Sequence, residues 1–85
     1  MRYKVDFTPQ ALEDLSKLDK AVIERITKKV EWLSENLDAV SPQALKGKFH
    51  GMFKLVIGDW RVIYTTDFTN KNITVHLIGH RREIY

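Results

Sequence analysis

Lys54 and Arg61 flank a Gly58-Asp59 pair, and the chain closes on "IGHRREIY", which carries His80, Arg81, Arg82 and Tyr85. Lys46 and Lys48 add two more cations just upstream, in "LKGKFHGM". Fixed cations with few carboxylates among them bind phosphate, Arg as a planar fork and Lys as a point charge. One chemistry open to such a set is scission of an RNA strand through its ribose 2′-hydroxyl. That reaction needs a base for the hydroxyl proton, a cation for the pentavalent phosphorane, an acid for the leaving 5′-oxygen, and a nucleotide held in line. Lys or Arg can supply the charge without a metal, and a ring such as Tyr85 can stack on a base and splay the strand. No clustered His/Asp/Glu set suggests a metal site, and no cofactor is expected. Each residue also has a plainer reading. Arg61 and Lys54 suit solvated or cross-strand-paired cations, Arg81-Arg82 a solubilising run, His76 a sheet surface, His50 a loop, and Tyr85 a mobile end.

Positioning those cations requires a sheet. "FKLVIGDWRVIY" holds two β-rich runs around Gly58-Asp59, a pair suited to a two-residue primed turn. Counting outward from that turn pairs Ile57 with Trp60, Val56 with Arg61, Leu55 with Val62, Lys54 with Ile63 and Phe53 with Tyr64. Opposed residues share a face. Phe53, Leu55, Ile57, Trp60, Val62 and Tyr64 therefore make a core face, and Lys54, Val56, Arg61 and Ile63 make the other. "ITVHLIGH" predicts a last strand with Ile73, Val75 and Leu77 inward and His76, Ile78 and His80 outward, unless Gly79 bulges the register.

Upstream, "RYKVDF" alternates Tyr3, Val5 and Phe7 against polar residues, as a half-buried strand does. Thr8-Pro9 reads as an N-cap followed by proline at the first helical position. Leu12, Leu15 and Leu18 recur at helical spacing. Asp19 opens a longer helix with Ile23, Ile26, Val30, Leu33 and Leu37 as its apolar stripe. Residues 38–52 read as a loop, with room for a helical turn around Pro42–Leu45. The order β-α-α-β-β-β predicts one α+β domain over residues 1–85. An N-terminal strand and an antiparallel two-helix hairpin precede a three-stranded antiparallel meander, and all the strands join one mostly antiparallel sheet.

Eighty-five residues leave no room for a second core or a large internal cavity, so a site should be a shallow surface cleft. The absence of cysteine excludes disulfides and thiolate zinc sites and fits a reducing, cytoplasmic setting. No segment is apolar enough for a membrane span. Residues 1–45 hold seven Lys/Arg against eight Asp/Glu, net −1, and residues 46–85 hold seven against three, net +4. The basic half suggests a surface that faces a polyanion.

"LKGKFHGMFKLVIGDWRVIY" together with "IGHRREIY" resembles the RelE family of the RelE/ParE toxin superfamily, and the opening "YKVDFTPQALEDLSKLDK" is also similar. The resemblance implies a toxin of a type II toxin–antitoxin pair. RelE-type members cut mRNA in the ribosomal A site without a metal, whereas ParE-type members share the fold and poison DNA gyrase. By this resemblance Arg61 stabilises the phosphate, Arg81 (with Arg82 beside it) donates a proton to the leaving oxygen, and Tyr85 stacks on the nucleotide. Lys54 matches the first of two cations on the strand before the turn. The second, which carries the general-base role in relatives, falls on Val56, so that Lys54, Lys46 or Lys48 must serve or the enzyme is slow. Lys46, Lys48, His80 and Arg82 are expected to bind RNA. The implied partners are a cognate acidic, partly disordered antitoxin and the ribosome with its mRNA, with DNA reached only through the toxin–antitoxin complex. A gyrase inhibitor and a non-catalytic antitoxin-binding module remain alternatives.

Overall fold

A computed structural model describes residues 2–84. Strand β1 (Lys4–Phe7) leads into helices α1 (Pro9–Ser16) and α2 (Lys20–Asn36). A two-residue strand β2 (Gln43–Ala44) and the meander β3 (Phe53–Ile57), β4 (Trp60–Asp67) and β5 (Asn72–His80) follow, and a single helical turn, α3 (Arg81–Ile84), closes the chain. The five strands form one sheet in the order β1-β5-β4-β3-β2, with β1 parallel to β5 and the other pairs antiparallel. Among the described residues no helix is long and apolar enough to cross a membrane.

The helices start where the sequence places them, by different means. The Thr8 hydroxyl accepts from Ala11 N–H at 3.1 Å, and Pro9 takes the first helical position. Asp19 has the extended N-cap conformation of α2, but its carboxylate makes no capping bond. Along α2 the expected stripe is buried at Ile26, Val30 and Leu33, and Leu37 continues it in a short 3₁₀ turn. Helix α1 departs from expectation. It buries Ala11 completely while Leu12 is 53% exposed, because two helical turns lying close on the sheet admit only a small side chain at the contact. The core forms two clusters, one around Ile26, Val62 and Val75 and one around Tyr3, Leu33 and Tyr64, with Val5 and Leu55 packed against both.

Two further expectations need correction. No helical turn forms at Pro42–Leu45. Proline disfavours a helical Ser41, and Gln43–Ala44 instead pair with Lys54 and Phe53 at the edge of β3. The bulge in β5 falls at His76, not at Gly79: Ile63 pairs with Leu77 but Tyr64 pairs with Val75. One extra residue inverts the alternation downstream of it. Ile78 rather than Leu77 therefore enters the helix-side core at 4% exposure, and His80 stands opposite Trp60 on that same side.

Helix α1 satisfies this bulge. Asp14 Oδ2 accepts the Ile78 N–H at 3.0 Å, and the Thr8 hydroxyl donates to the His76 carbonyl at 3.2 Å. Asp14→Ala leaves a part-buried amide without its acceptor and should lower stability by about 1–3 kcal/mol. The measurement is a urea midpoint at unchanged m value, with Asp14→Asn, which keeps an acceptor, losing less. An Asp14→Ala midpoint equal to that of the wild type would show that water replaces the carboxylate.

Candidate active site on the open sheet face

The β3–β4 register is the one counted from the sequence, Ile57 with Trp60 through Phe53 with Tyr64. It places Val56, Arg61 and Gly79 in one row across β3, β4 and β5, and Gln43, Lys54, Ile63 and Leu77 in the next. Lys54 and Arg61 are diagonal neighbours on the face away from α1 and α2, about 7–8 Å apart at that kind of position. Glycine opposite Arg61 leaves room above the sheet, and α3 uses it. An added Cβ on Gly79 would lie 3.2 Å from the Ile84 side chain, and Ile84 is only 8% exposed. Ile63 is fully buried on this face as well. The face is thus partly roofed by α3.

The hairpin turn holds the arginines. Gly58 adopts φ +58°, a left-handed conformation that side chains disfavour. The turn's carbonyls then point where cations can reach them. Arg61 Nη1 donates to the Gly58 carbonyl at 2.9 Å and to the Trp60 carbonyl at 3.0 Å, while its Nε is enclosed without a hydrogen-bond partner among the described residues. Arg81 donates its backbone N–H to the Asp59 carbonyl at 2.8 Å, and its Nε lies 3.6 Å from Asp59 Oδ1. Two residues of the turn therefore fix one arginine from β4 and one from the start of α3. Such fixing reduces the reorganisation needed when a phosphate arrives.

The other sequence candidates are distributed unevenly. Lys46 and Lys48 are exposed in the 45–52 arm, at the end of β3 away from the turn, with Lys48 Nζ 5.3 Å from the Phe49 ring centroid. Arg82 is exposed on α3, and its backbone N–H donates to His80 Nδ1 at 3.2 Å. His80 is not on the open face. Its ring meets Trp60 edge-on with centroids 5.4 Å apart, as the displaced bulge requires. Tyr85, with the stacking role expected of it, lies outside the described residues. His76 is held by Thr65, whose Oγ1 is 2.8 Å from Nε2, two rows from Arg61 along β4. Burial raises the Tyr64 hydroxyl to about 12, which keeps it a neutral core group. Among the described residues no three His, Cys, Asp or Glu side chains are grouped to hold a metal ion. Sequence reasoning missed Arg25, whose guanidinium from α2 lies over Gly58, 2.9 Å from where a Cβ would stand. Arg25 lies between the apolar-stripe residues Ile23 and Ile26 in the sequence, and nothing in that local pattern signals the contact.

Residues 5–85 match the family model described as "ParE toxin of type II toxin–antitoxin system, parDE". The chain belongs to the ParE toxin family. It is accordingly a toxin of the RelE/ParE superfamily, from a type II toxin–antitoxin system. No curated protein sequence matches it. Among solved structures, the RelBE2 toxin–antitoxin complex of Mycobacterium tuberculosis matches with TM-score 0.84 and 26% identity, over 95% of this chain and 100% of that one. A double arginine-to-alanine variant of free E. coli RelE shares the fold, with TM-score 0.80 and 23% identity over 99% and 88% of the two chains. The same variant bound to an antitoxin RelB peptide matches with TM-score 0.70 and 28% identity over 94% and 84%. The family model thus names the ParE branch, while these three likenesses in three dimensions are to RelE proteins.

Proposed function

We propose that this toxin is a metal-independent endoribonuclease that cuts mRNA on the ribosome and so inhibits translation. The observation that carries the reading is the anchoring of Arg61 and Arg81 on one hairpin turn, with Lys54 a diagonal away on the same face. In the proposed reaction the 2′-oxygen attacks phosphorus, its proton passes to a base, and the P–O5′ bond breaks as the 5′-oxygen takes a proton. A cyclic phosphate and a 5′-hydroxyl result. Arg61 neutralises the phosphorane, Arg81 protonates the leaving oxygen and Lys54 acts as base. Tyr85 stacks on the nucleotide, and Lys46, Lys48 and Arg82 hold the flanking backbone. An antitoxin partner is proposed from the relatives crystallised with theirs, RelBE2 and the RelB-bound variant.

The test is primer extension on a defined mRNA incubated with the purified toxin, with and without ribosomes. Cuts phased to codons are expected only with ribosomes, because the ribosome supplies the in-line geometry that a shallow face cannot impose. Efficient phased cutting of naked mRNA would remove ribosome dependence from the proposal. A second reading, inhibition of DNA gyrase, is favoured by the ParE family model and by apolar Val56 where a second cation is expected. Intact mRNA together with blocked gyrase supercoiling would select it.

A further inference from the structure

Three arginines from three elements converge on the two-residue hairpin turn. Arg61 Nη1 is 2.9 Å from the Gly58 carbonyl, and Arg25 Nη2 is 2.9 Å from the position of a Gly58 Cβ. Both guanidiniums therefore lie against the same residue, and Arg81 is bound to the next residue, Asp59. Asp59 is the only carboxylate within ion-pair range of this group among the described residues, and it is paired with Arg81. The turn consequently carries an excess of positive charge. Like charges held this close repel unless an anion joins them, so the arrangement favours an anionic ligand.

The charge continues along α2. Arg25, Lys28 and Lys29 line a shallow groove with Trp32 and Ile57, and Lys29 Nζ sits 4.0 Å from the Trp32 ring centroid. None of these three cations has a carboxylate within 4.0 Å among the described residues. On α2 the paired acids are Glu31 and Glu35, both taken by Arg2, next to β1. Helix α2 is thus divided into a neutralised side toward β1 and an uncompensated side toward β3.

We infer that the nucleic-acid path does not end at Arg61 and Arg81 but passes over the hairpin tip onto α2, with Arg25 as its next phosphate contact and Lys28 and Lys29 beyond. The ligand is a single nucleic-acid strand held by its backbone. This rests on the reading of the open face as RNA-binding. An acidic polypeptide could use the same cations, but continuity with the two turn-anchored arginines favours the strand. Arg25 would then act as a binding residue and not as a participant in bond cleavage.

The test is fluorescence anisotropy of a labelled, uncleavable 2′-O-methyl oligoribonucleotide against the purified toxin over a range of salt concentrations. Arg25→Ala should weaken binding about 3- to 10-fold at low salt and reduce the slope of log K against log salt by about 0.7, the value for one phosphate contact on a single strand. Arg25→Lys should recover most of the slope. Lys4→Ala, on the opposite edge of the sheet, should behave as wild type. Wild-type affinity and slope in a folded Arg25→Ala variant overturns the inference. Weakened binding of a labelled glutamate-rich peptide with oligonucleotide binding intact overturns it in favour of a polypeptide ligand. Ribosome-dependent cleavage tests the functional reading separately. Cleavage that persists in a toxin showing no oligonucleotide binding overturns the inference alone. Oligonucleotide binding that depends on Arg25, without cleavage, supports the inference and removes the nuclease.

Discussion

Arg61→Ala and Arg81→Ala should each lower ribosome-dependent mRNA cleavage by about 10²–10³, while both proteins remain folded and still bind an antitoxin. Each substitution removes one fixed charge from the transition state and leaves the helix-side core around Val62, Ile26 and Val75 untouched. The two are not equivalent structurally. The Arg61 guanidinium closes on the Gly58 and Trp60 carbonyls, so its loss also loosens the turn, whereas the Arg81 backbone bond to Asp59 survives substitution. Arg61→Lys is the sharper control: an ammonium keeps the charge but lacks the planar fork that reaches two carbonyls and a phosphate together. Single-turnover cleavage on stalled ribosomes, with circular dichroism as the folding check, measures the effect. Growth inhibition that persists in a folded Arg61→Ala/Arg81→Ala double variant, with mRNA intact and gyrase inhibited, would move the toxin to the second reading.

Val56→Lys should raise cleavage, by about tenfold or more if the missing base limits the rate, since a positioned acid or base typically contributes 10²–10⁴-fold. Val56 is 40% exposed and pairs directly with Arg61, so a lysine there joins the row of Arg61 and Gly79, one step along the face from Lys54. Opposing like charges on adjacent strands cost about 0.2–1 kcal/mol, which an exposed position tolerates. The removed valine contributes little core, because it is exposed and belongs to neither core cluster. Unchanged cleavage by Val56→Lys on ribosomes, with the fold intact, would show that the base is already supplied, by Lys54 or by the ribosome. A comparison with Lys54→Ala in the same assay separates those sources.

The hairpin was fully legible because its information is local. Gly58-Asp59 fixes a two-residue turn, a period of two fixes which side chains share a face, and no distant contact alters the count. The α2 stripe was legible for the same reason. The family resemblance rests on "LKGKFHGMFKLVIGDWRVIY", which contains the hairpin, and on "IGHRREIY", and the match over residues 5–85 bears out the superfamily. The last strand was only half legible. Its bulge sits at His76 because Asp14 and Thr8, more than sixty residues upstream, capture the groups that it frees, and a strand pattern carries no record of a helix docking on it. His80 was therefore assigned to the open face, although the fold turns it to Trp60.

Charge behaves likewise. The amino-acid sequence by itself determined that the second half of the chain is basic, that Lys54 and Arg61 share a face, and that Arg81 follows the last strand. These are matters of composition and short-range periodicity. Only the tertiary structure decided that the Gly58–Asp59 turn binds both Arg61 and Arg81, that Ile84 folds over Gly79, and that Arg25 reaches the same turn from α2. Arg25 is separated from Gly58 by more than thirty residues. Its approach depends on how α2 packs across the sheet through Ile26, Val30 and Leu33, and that packing is set by the shape of a core assembled from every element at once.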